Sequence, residues 1–528
     1  MRSYLLTSAV LLLAIASTTN GLNILALFPY DGKSHFVVFK VLLHELARKG
    51  HNLTVVSHFP EHIPPPNYRD INLYIPPKQL TPEDSLKLHR SYWNIIEVGW
   101  FLATNGRKNC KILLANKEVQ DLVNKKAKYD VILTEEFNSD CALGLAYKLG
   151  APVVRLTSHV LMPWHYSRLG IPNNPAFVPF HFLEGGSNPT LFQRVETVIF
   201  DAYFKFLFYV VSQRSDQNTL AEYYDDIPPL EDLARNIKFL LVNHHFTLTG
   251  SRLFPSNVIE VGGYHVTQNP LTGDVKTFID QADKGIVYIS FGTTVRISNI
   301  TVDKTEAIIG AIEELPYQFI WRWDKYVSFD KPPFSQLSER HLAVLNDKKK
   351  FYTGIWLPQV DILSHPKVLG FISHGGMGGT IEAIHHGVPI LVTPVTGDQP
   401  ANAASIEESG FGIQLPVNDM TKDNLVAGVK KILEPRFRAK VKRMSRAWHD
   451  RPLTPMQTAV YWIEYAARNG DLTFRTKAAD VPLYQYLNLD IALVFIVFTI
   501  GLFFAIKACR PSKSTPNKQS SNNKKKRQ

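Results

Sequence analysis

Side chains that can do chemistry are concentrated between Phe351 and Ala403, at points where short apolar runs end. They are an indole, two amides, an imidazole, two carboxylates and a pair of glycines: Trp356, Gln359, His374, Gly375, Gly376, Glu382, Asp398 and Gln399. Chemistry in an open α/β sheet lies in the crevice beyond the carboxyl ends of the strands. We therefore expect these side chains to line one crevice.

The order of these residue types matches the parts of a nucleotide-sugar. An indole can stack on a planar base, and an amide can match the donor and acceptor edge of a pyrimidine. The glycines after His374 let the N–H groups of a helix N-terminus approach a diphosphate, and the imidazole adds a donor. Glu382 suits ribose hydroxyls, and Asp398 with Gln399 suits sugar hydroxyls. A Gly-rich turn in a purely structural domain would explain the glycines but not the whole set.

Short apolar runs alternate with helical spacing along the chain, which predicts an α/β fold with two doubly wound, Rossmann-like domains. Strands of the first half are expected at Asn23–Phe28, Leu53–Ser57 and Asp130–Thr134. Strands of the second half are expected at Phe239–Val242, Val258–Val261, Gly285–Phe291, Gln318–Trp323, Lys350–Thr353, Gly370–Ser373 and Ile390–Thr393. The predicted division is a signal at 1–21, domains at 22–235 and 236–451, return helices and a juxtamembrane segment at 452–489, a membrane helix at 490–507 and a basic tail at 508–528.

The first half offers a candidate base at the end of its first strand. His35 lies in the first turn of the predicted helix, where the positive helix end favours a neutral imidazole that can accept a proton. Asp140 begins the helix after the strand at Asp130–Thr134, and its carboxylate could fix the imidazole and stabilise its cation. On spacing alone, a surface histidine and an ordinary helix-start acid are the commoner interpretations. The first loop has no G-x-G-x-x-G, so no dinucleotide site is predicted there.

Both ends of the chain carry membrane-targeting patterns. Arg2 followed by the apolar run Leu5–Ala16 is typical of a secretory signal, and an N-terminal anchor is the alternative. Ile491–Ile506 is an uncharged run of 16 apolar or small residues, followed by a tail with eight cations and no acid. Positive charge beside a span marks the cytosolic side. This pattern predicts a type I single-pass protein, and the final KKRQ resembles a dilysine retrieval signal to the endoplasmic reticulum.

The positive charge of the chain belongs mostly to its ends. Of the formal +11, the tail supplies +8 and Arg2 supplies +1, which leaves +2 for the body. Nucleic-acid binding therefore has little electrostatic support. The sequence leaves open whether copies of the chain associate.

Cysteines and sequons fit a lumenal body. Three cysteines exclude a disulfide scaffold, although Cys110 and Cys141 could pair. Asn52 and Asn299 begin glycosylation sequons, of which Asn299 is the more accessible by its context. Pro163–Tyr224 is rich in aromatic residues, which favours a core helix, an apolar ligand pocket or contact with the membrane surface.

The motifs resemble those of one known family. WLPQ, HPKVLGFISHGG and GVPILVTPVTGDQPANA are similar to the signature of the membrane-bound UDP-glycosyltransferases of animals, which include glucuronosyl- and glucosyltransferases of xenobiotic and steroid metabolism. SHFVVFKVLLHELARKGHNLTVVS and EEFNSDCALGLA resemble its N-terminal and middle segments. The resemblance extends over nearly the whole chain.

The resemblance implies a GT-B type fold, in which the first domain takes a small lipophilic acceptor and the second takes UDP-glucose or UDP-glucuronate. The roles it implies are a base (His35) with a partner (Asp140), uracil contacts (Trp356, Gln359), diphosphate contacts (Thr293, His374, Gly375, Gly376), a ribose contact (Glu382) and sugar contacts (Asp398, Gln399). Many relatives carry Asn or Ser in the turn where this chain has Gly378 and Gly379. One side-chain contact to phosphate is therefore absent, and backbone N–H groups would replace it.

The expected reaction is a single displacement that inverts the anomeric carbon. The chain has no Asp-x-Asp triplet, so we expect no metal ion and no cofactor beyond the UDP-sugar. One alternative is a lumenal nucleotide-sugar or lipid-binding protein without turnover, which would not need both His35 and Asp140. A glycosidase would need two carboxylates about one sugar, and Glu382 is instead expected at ribose.

Overall fold

The computed structural model describes residues 21–73, 91–293, 295, 297–325 and 327–509, without the side chain of Asn299. The expected signal and nearly all of the basic tail therefore lie outside the described residues. Of the described residues, those up to Ala479 form one compact unit and those from Asp480 form a second.

The first sheet is parallel and is built from seven strands in the order β3-β2-β1-β4-β5-β6-β7. The strands are β1 (Asn23–Phe28), β2 (Asn52–Ser57), β3 (Tyr68–Asn72), β4 (Val131–Glu135), β5 (Val153–Leu156), β6 (Phe239–Val242) and β7 (Val258–Glu260). Runs such as VILTE in β4 are buried along their whole length, as expected of strands covered by helices on both faces. The strand order reverses between β1 and β4, where a crevice opens at the carboxyl ends.

The second sheet is also parallel, with the order β10-β9-β8-β11-β12-β13. Its strands are β8 (Ile286–Ser290), β9 (Gln318–Arg322), β10 (Phe351–Gly354), β11 (Val368–Ser373), β12 (Ile390–Val392) and β13 (Gly412–Gln414). Its strand order reverses between β8 and β11. The fold class expected from the sequence is confirmed.

Two strands belong to a different sheet from the one predicted. β6 pairs with β5, and β7 pairs with β6, so β6 and β7 extend the first sheet. The sequence analysis assigned them to the second domain and ended the first at residue 235, and that assignment is wrong. Strands of both sheets carry the same apolar pattern, so the pattern alone does not show which sheet a strand joins.

Helices cover both sheets. Those of the first half are α1 (Lys33–Arg48), α2 (Tyr92–Ala115), α3 (Lys117–Asn124), α4 (Cys141–Leu149), α5 (Pro163–Arg168), α6 (Leu191–Leu207), α7 (Arg214–Ala221), α8 (Leu230–Arg235) and α9 (Phe246–Thr249). Those of the second half are α10 (Gly273–Asp280), α11 (Val302–Glu314), α12 (Glu339–Asn346), α13 (Gln359–Ser364), α14 (Met377–His386), α15 (Gln399–Ser409), α16 (Lys422–Ile432) and α17 (Pro435–His449).

The remaining helices are α18 (Pro455–Arg468), α19 (Leu483–Tyr486) and α20 (Leu489–Cys509). Ala459, Val460, Ile463 and Ala466 of α18 are buried in the core of the first sheet, so the chain returns there after the second sheet. α20 has 21 residues, a mean hydropathy of 2.7 and no buried residue. Within the described part of the chain, it is the one helix long and apolar enough to cross a membrane.

The aromatic segment after α5 is mainly core. Phe200, Phe204 and Phe208 are buried together with Trp164 and Phe182. Helix α6 continues through a π-helical turn, Phe208–Gln213, into α7. This arrangement agrees with the core-helix interpretation for these residues.

Candidate active site

The carboxyl ends of both sheets line one cavity of about 520 Å³. Residues after β1, β4 and β5 supply one wall, and residues after β8, β11 and β12 supply the other. The cavity brings together most of the predicted site residues: His35, Thr293, Gln359, His374, Gly376, Glu382, Asp398 and Gln399. Among the described candidates, Asp140, Trp356 and Gly375 are not part of its lining.

His35 is paired with a carboxylate, but not with the predicted one. Its Nδ1 lies 2.5 Å from Glu135 Oε1, and the Glu135 side chain is only 4% exposed. Since β1 and β4 are neighbours in the sheet, the first turn of α1, which follows β1, lies beside the last residue of β4, and these two side chains meet. An Nδ1–H donated to the carboxylate leaves the lone pair of the imidazole on Nε2, where a base needs it.

Asp140 lies at the start of α4, as predicted, but it contacts two guanidinium groups and not His35. Arg155 Nη1 donates to Asp140 Oδ1 at 2.7 Å, and Arg168 Nη2 donates to Asp140 Oδ2 at 3.1 Å. Burial alone would raise the pKa of Asp140, but Arg168 and Arg155 outweigh it and hold the pKa at about 2. The expected His35–Asp140 pair is therefore not present, because these arginines take the carboxylate.

Asp140 is connected to the segment of His35's partner through Arg155. Arg155 Nη2 donates to the main-chain carbonyl of Glu135 at 2.6 Å. Arg155 Nε also pairs with Glu136 at 2.6 Å, and all of these side chains are buried. The buried ion network thus fixes the backbone that presents Glu135 to His35.

A second histidine, His159, lies beside His35. The ring centroids of His159 and His35 are 5.3 Å apart, and both residues line the cavity. His159 Nδ1 contacts the carbonyl of Val160, so the proton lies on Nδ1. Burial and the charge of His35 lower the pKa of His159 well below its ordinary value, so this ring stays neutral. Its buried Nε2 has no partner among the described residues and offers a lone pair.

The same side chains form a set that could hold a metal ion. Ligand atoms of His35, Glu135 and His159 lie within 4.8 Å of one another. A metal ion there would compete with the acceptor proton for His35. Metal-independent transfer stays a prediction.

His374, the predicted diphosphate contact, lies in a close-fitting slot between two glycines. A Cβ atom on Gly292 or on Gly376 would lie 2.5 or 2.6 Å from the His374 ring. Burial and the charge of Arg322 lower the pKa of His374 to about 4, so the ring is a neutral hydrogen-bond donor. Its Nδ1 is buried, and a contact with the backbone of Ser290 opposes the lowering of the pKa.

Helix α14 begins at Met377, and its first residues line the cavity, so its N-terminal N–H groups could hold an anion there. Gly378 and Gly379 lie in its first turn and line the cavity. A Cβ atom on Gly378 would meet nothing within 4 Å, so the missing side chain leaves open space there.

The residues predicted to contact uracil and ribose are only partly brought together. Gln359 Nε2 donates to Glu382 Oε2 at 2.6 Å, and burial raises the pKa of Glu382 to about 7 although this hydrogen bond opposes it. Trp356 is 66% exposed, and Lys33 Nζ lies 4.9 Å from its ring centroid. A uracil on Trp356 would therefore meet Lys33, from the other half, at the edge of the cleft.

The residues predicted to contact the sugar, Asp398 and Gln399, lie at the start of α15. Asn402 Nδ2 donates to Asp398 Oδ2 at 2.8 Å, and burial raises the pKa of Asp398 although this bond opposes it. Gln399 Oε1 accepts hydrogen bonds from the backbone N–H groups of Val395 and Thr396 at 2.8 and 3.0 Å. The amide NH₂ of Gln399 is thus the group that remains for a sugar hydroxyl.

Other predicted features lie away from the cleft. Cys110 and Cys141 form a disulfide with Cα atoms 5.5 Å apart, which joins α2 to α4. Asn52 is exposed at the start of β2, where its side chain donates to Asn23 at 3.2 Å. The side chain of Asn299 lies outside the described residues.

Sequence reasoning missed Glu135, His159 and Arg155. Glu135 was visible as one of three acids after the third predicted strand. The signal that would have distinguished Glu135 from the other two acids lies in β5. Its sequence, Val-Val-Arg-Leu, carries Arg155 between apolar residues, and the chain then leads to His159. A cation in a buried strand requires buried acids as partners.

Comparison with known proteins identifies the family. The family model described as "UDP-glucoronosyl and UDP-glucosyl transferase" matches residues 23–520. UDP-glucosyltransferase 2 of Dactylopius coccus is 32% identical over 501 residues, with 93% of each chain covered. UDP-glucuronosyltransferase 2B7 of Homo sapiens is 27% identical over 510 residues, with 90% of each chain covered.

Two solved structures share the fold at lower identity. A UDP-glucosyltransferase from Polygonum tinctorium, in complex with 3,4-dichloroaniline, has a TM-score of 0.58 at 15% identity, over 86% of this chain and 100% of that one. The crystal structure of LpCGTa in complex with UDP has a TM-score of 0.53 at 17% identity, over 84% of this chain and 99% of that one. Given the family match over almost the whole chain, this protein belongs to the UDP-glycosyltransferases, enzymes that transfer a hexosyl group from a UDP-sugar.

Proposed function

We propose that this enzyme transfers an uncharged hexose to a hydroxyl of a small apolar acceptor, with inversion and without a metal ion. The observation that carries the proposal is the pairing of His35 with Glu135 across one cavity from His374 and Asp398. His35 Nε2 takes the acceptor proton as the acceptor oxygen attacks the anomeric carbon. The bond to UDP breaks, and UDP leaves with the electron pair. His374 and the start of α14 stabilise its charge.

The residues around the sugar position favour an uncharged donor sugar. No Lys or Arg is among the described residues that line the cavity. Asp398 lines the cavity, and Glu135 lies directly behind His35, so the charged groups near a bound sugar are acids. Removing a carboxylate from water without a partner is costly. Glucose or galactose fits this wall, and glucuronate does not.

The acceptor side of the cavity is apolar. Val37, Val98, Phe101 and Phe182 of the first half line it near His35. Such a wall suits a small aromatic alcohol or phenol whose hydroxyl reaches His35 Nε2.

We place the enzyme in the membrane of the endoplasmic reticulum, with its body in the lumen. The Cys110–Cys141 disulfide supports an oxidising compartment. Every charged residue after α20 in this sequence is basic, which supports a cytosolic position for that segment.

A donor panel tests this proposal. Full-length protein is mixed with a phenol, a chelator and UDP-glucose, UDP-galactose or UDP-glucuronate, and released UDP is measured. We expect turnover with an uncharged hexose to exceed that with glucuronate by at least about tenfold, since one unpaired charge costs several kcal/mol. Preference for glucuronate, or activity that appears only after manganese is added, would refute it.

A further inference from the structure

A second cavity of about 330 Å³ has a lining that shares no residue with that of the catalytic cavity. Its wall is mainly apolar and comes from both halves: Val160, Ile171, Phe177, Val178, Phe254 and Ala401. This volume falls within the range of about 300–1,000 Å³ that is usual for small-molecule sites. None of the residues assigned to UDP, sugar or base lines this cavity.

The polar groups of this second cavity are concentrated around one cation. Arg252 lines it, and no ion pair of Arg252 is formed among the described residues. Its neighbours are Tyr166 and His244, of which His244 Nδ1 is bonded to Glu260 at 2.6 Å. Burial raises the pKa of Tyr166 and lowers that of His244, so both rings are neutral near pH 7, and Arg252 is the one charged side chain among the described lining residues.

We propose that the second cavity binds an amphipathic carboxylate of the medium-chain fatty acid class. The chain would lie against Ile171, Phe177 and Val178, and the carboxylate would pair with Arg252. Each methylene of the chain that is buried against these side chains stabilises the complex. A guanidinium holds a carboxylate through two parallel hydrogen bonds. The hydrocarbon chain thus matches the apolar part of the lining, and the carboxylate matches Arg252.

The second cavity is linked to the donor site by α15. Asn402 lines it, and the same side chain donates to Asp398 Oδ2 at 2.8 Å and to the carbonyl of Gly375 at 2.9 Å. Asp398 lines the catalytic cavity. Val160, which also lines the second cavity, accepts a hydrogen bond from His159, the neighbour of His35. A ligand that contacts both halves would hold them in the arrangement in which both line the catalytic cavity, and so tighten binding of the UDP-sugar.

Direct binding tests the site without turnover. Decanoate is titrated into the full-length protein in nanodiscs by calorimetry, with UDP and a phenol at saturation so that the catalytic cavity is occupied, and empty nanodiscs are subtracted. We expect wild type to bind decanoate at least about tenfold more tightly than Arg252→Gln, since one bidentate charged contact contributes more than 1.4 kcal/mol. Arg252→Lys should recover part of this loss.

Decanol and a filled cavity serve as controls. Decanol, which lacks the charge, should bind wild type and Arg252→Gln equally, and Ser405→Phe should abolish binding of both ligands because Ser405 lines the cavity. Equal decanoate affinity in wild type and Arg252→Gln would overturn the proposal, as would no binding to wild type. A lower KM for the UDP-sugar in the presence of decanoate is expected in addition. That last effect alone rests on the proposed function, so the binding site and the proposed reaction can fail separately.

Discussion

His35 Nδ1 and Glu135 Oε1 lie 2.5 Å apart although 100 positions separate them in the chain. Strand order explains the contact. β1 and β4 pair in parallel, with Leu27 opposite Thr134, so the segments that follow them leave the same edge of the sheet side by side. The pair therefore depends on a tertiary arrangement that neither segment specifies alone.

Replacing Glu135 with Gln should lower kcat by about 10²–10⁴-fold, because an amide neither stabilises the imidazolium nor selects the productive tautomer. The affinity for UDP should not change, since the UDP contacts lie in the other half. Initial rates with UDP-glucose and a phenol, together with UDP binding by calorimetry, measure both quantities.

The matched control for this change is Glu97→Gln. Glu97 is an exposed acid in the lining of the same cavity, and it forms no contact with His35 among the described hydrogen bonds. Its kcat should stay within about threefold of wild type. An equal loss in both variants would mean that the overall charge of the cavity, and not the His35 contact, controls turnover.

Gly376 and Gly378 should respond differently to the same substitution. In Gly376→Ala the new methyl group would lie 2.6 Å from His374 Nε2 and displace the ring, whereas in Gly378→Ala it would meet nothing within 4 Å. We expect Kd for UDP to rise at least about tenfold in the first variant, by loss of one charge-assisted hydrogen bond. The second variant should bind UDP normally and be slightly more stable, by about 0.5–1 kcal/mol. UDP titration of both variants makes the comparison, and similar affinities would show that the His374 slot is unimportant.

Asp140 should matter for stability more than for catalysis. Asp140→Asn leaves Arg155 and Arg168 partly unpaired in the interior, which should cost about 3–5 kcal/mol of unfolding free energy. Asp121→Asn is the control, because Asp121 pairs with Lys125 at 2.7 Å on the surface and its loss should cost less than about 1 kcal/mol. Denaturant unfolding in detergent measures both. Equal costs would contradict the role of the buried network.

The effect of Asp140 should also depend on pH. Its folded-state pKa is held at about 2, below the ordinary value of about 3.9 for an unfolded chain. A depressed carboxyl pKa adds stability above the unfolded pKa and loses it as pH falls through the folded pKa. The stability difference between wild type and Asp140→Asn should therefore be constant above about pH 4 and shrink towards pH 2. A difference that grows on acidification would contradict this assignment.

The sequence predicts the parts of the fold that are decided locally. The apolar runs at β1, β6 and β11 carry their pattern within a few residues, and the predicted bounds agree with the observed ones to within two residues. His35 and His374 could be placed because each follows such a strand. β3 and β5 were missed because charged residues interrupt them, Arg69 and Asp70 in the first and Arg155 in the second.

The choice between Glu135 and Asp140 needed the folded chain. Both acids follow the same strand within six residues, and both can serve as a partner for an imidazole. What separates them is Arg168, from α5, which takes Asp140 together with Arg155. The sheet to which β6 and β7 belong was wrongly predicted for the same reason, because strand pairing depends on residues far apart in the chain.

The most direct test of the account compares two acceptors in His35→Ala. Benzyl alcohol must lose a proton during attack, whereas 4-nitrophenol is largely ionised at about pH 8 and needs no base. We expect the variant to lose about 10²–10⁴-fold in single-turnover rate with benzyl alcohol, the usual contribution of a general base, and to keep most of its rate with 4-nitrophenol. Equal losses with both acceptors would contradict the assignment of His35 as the base.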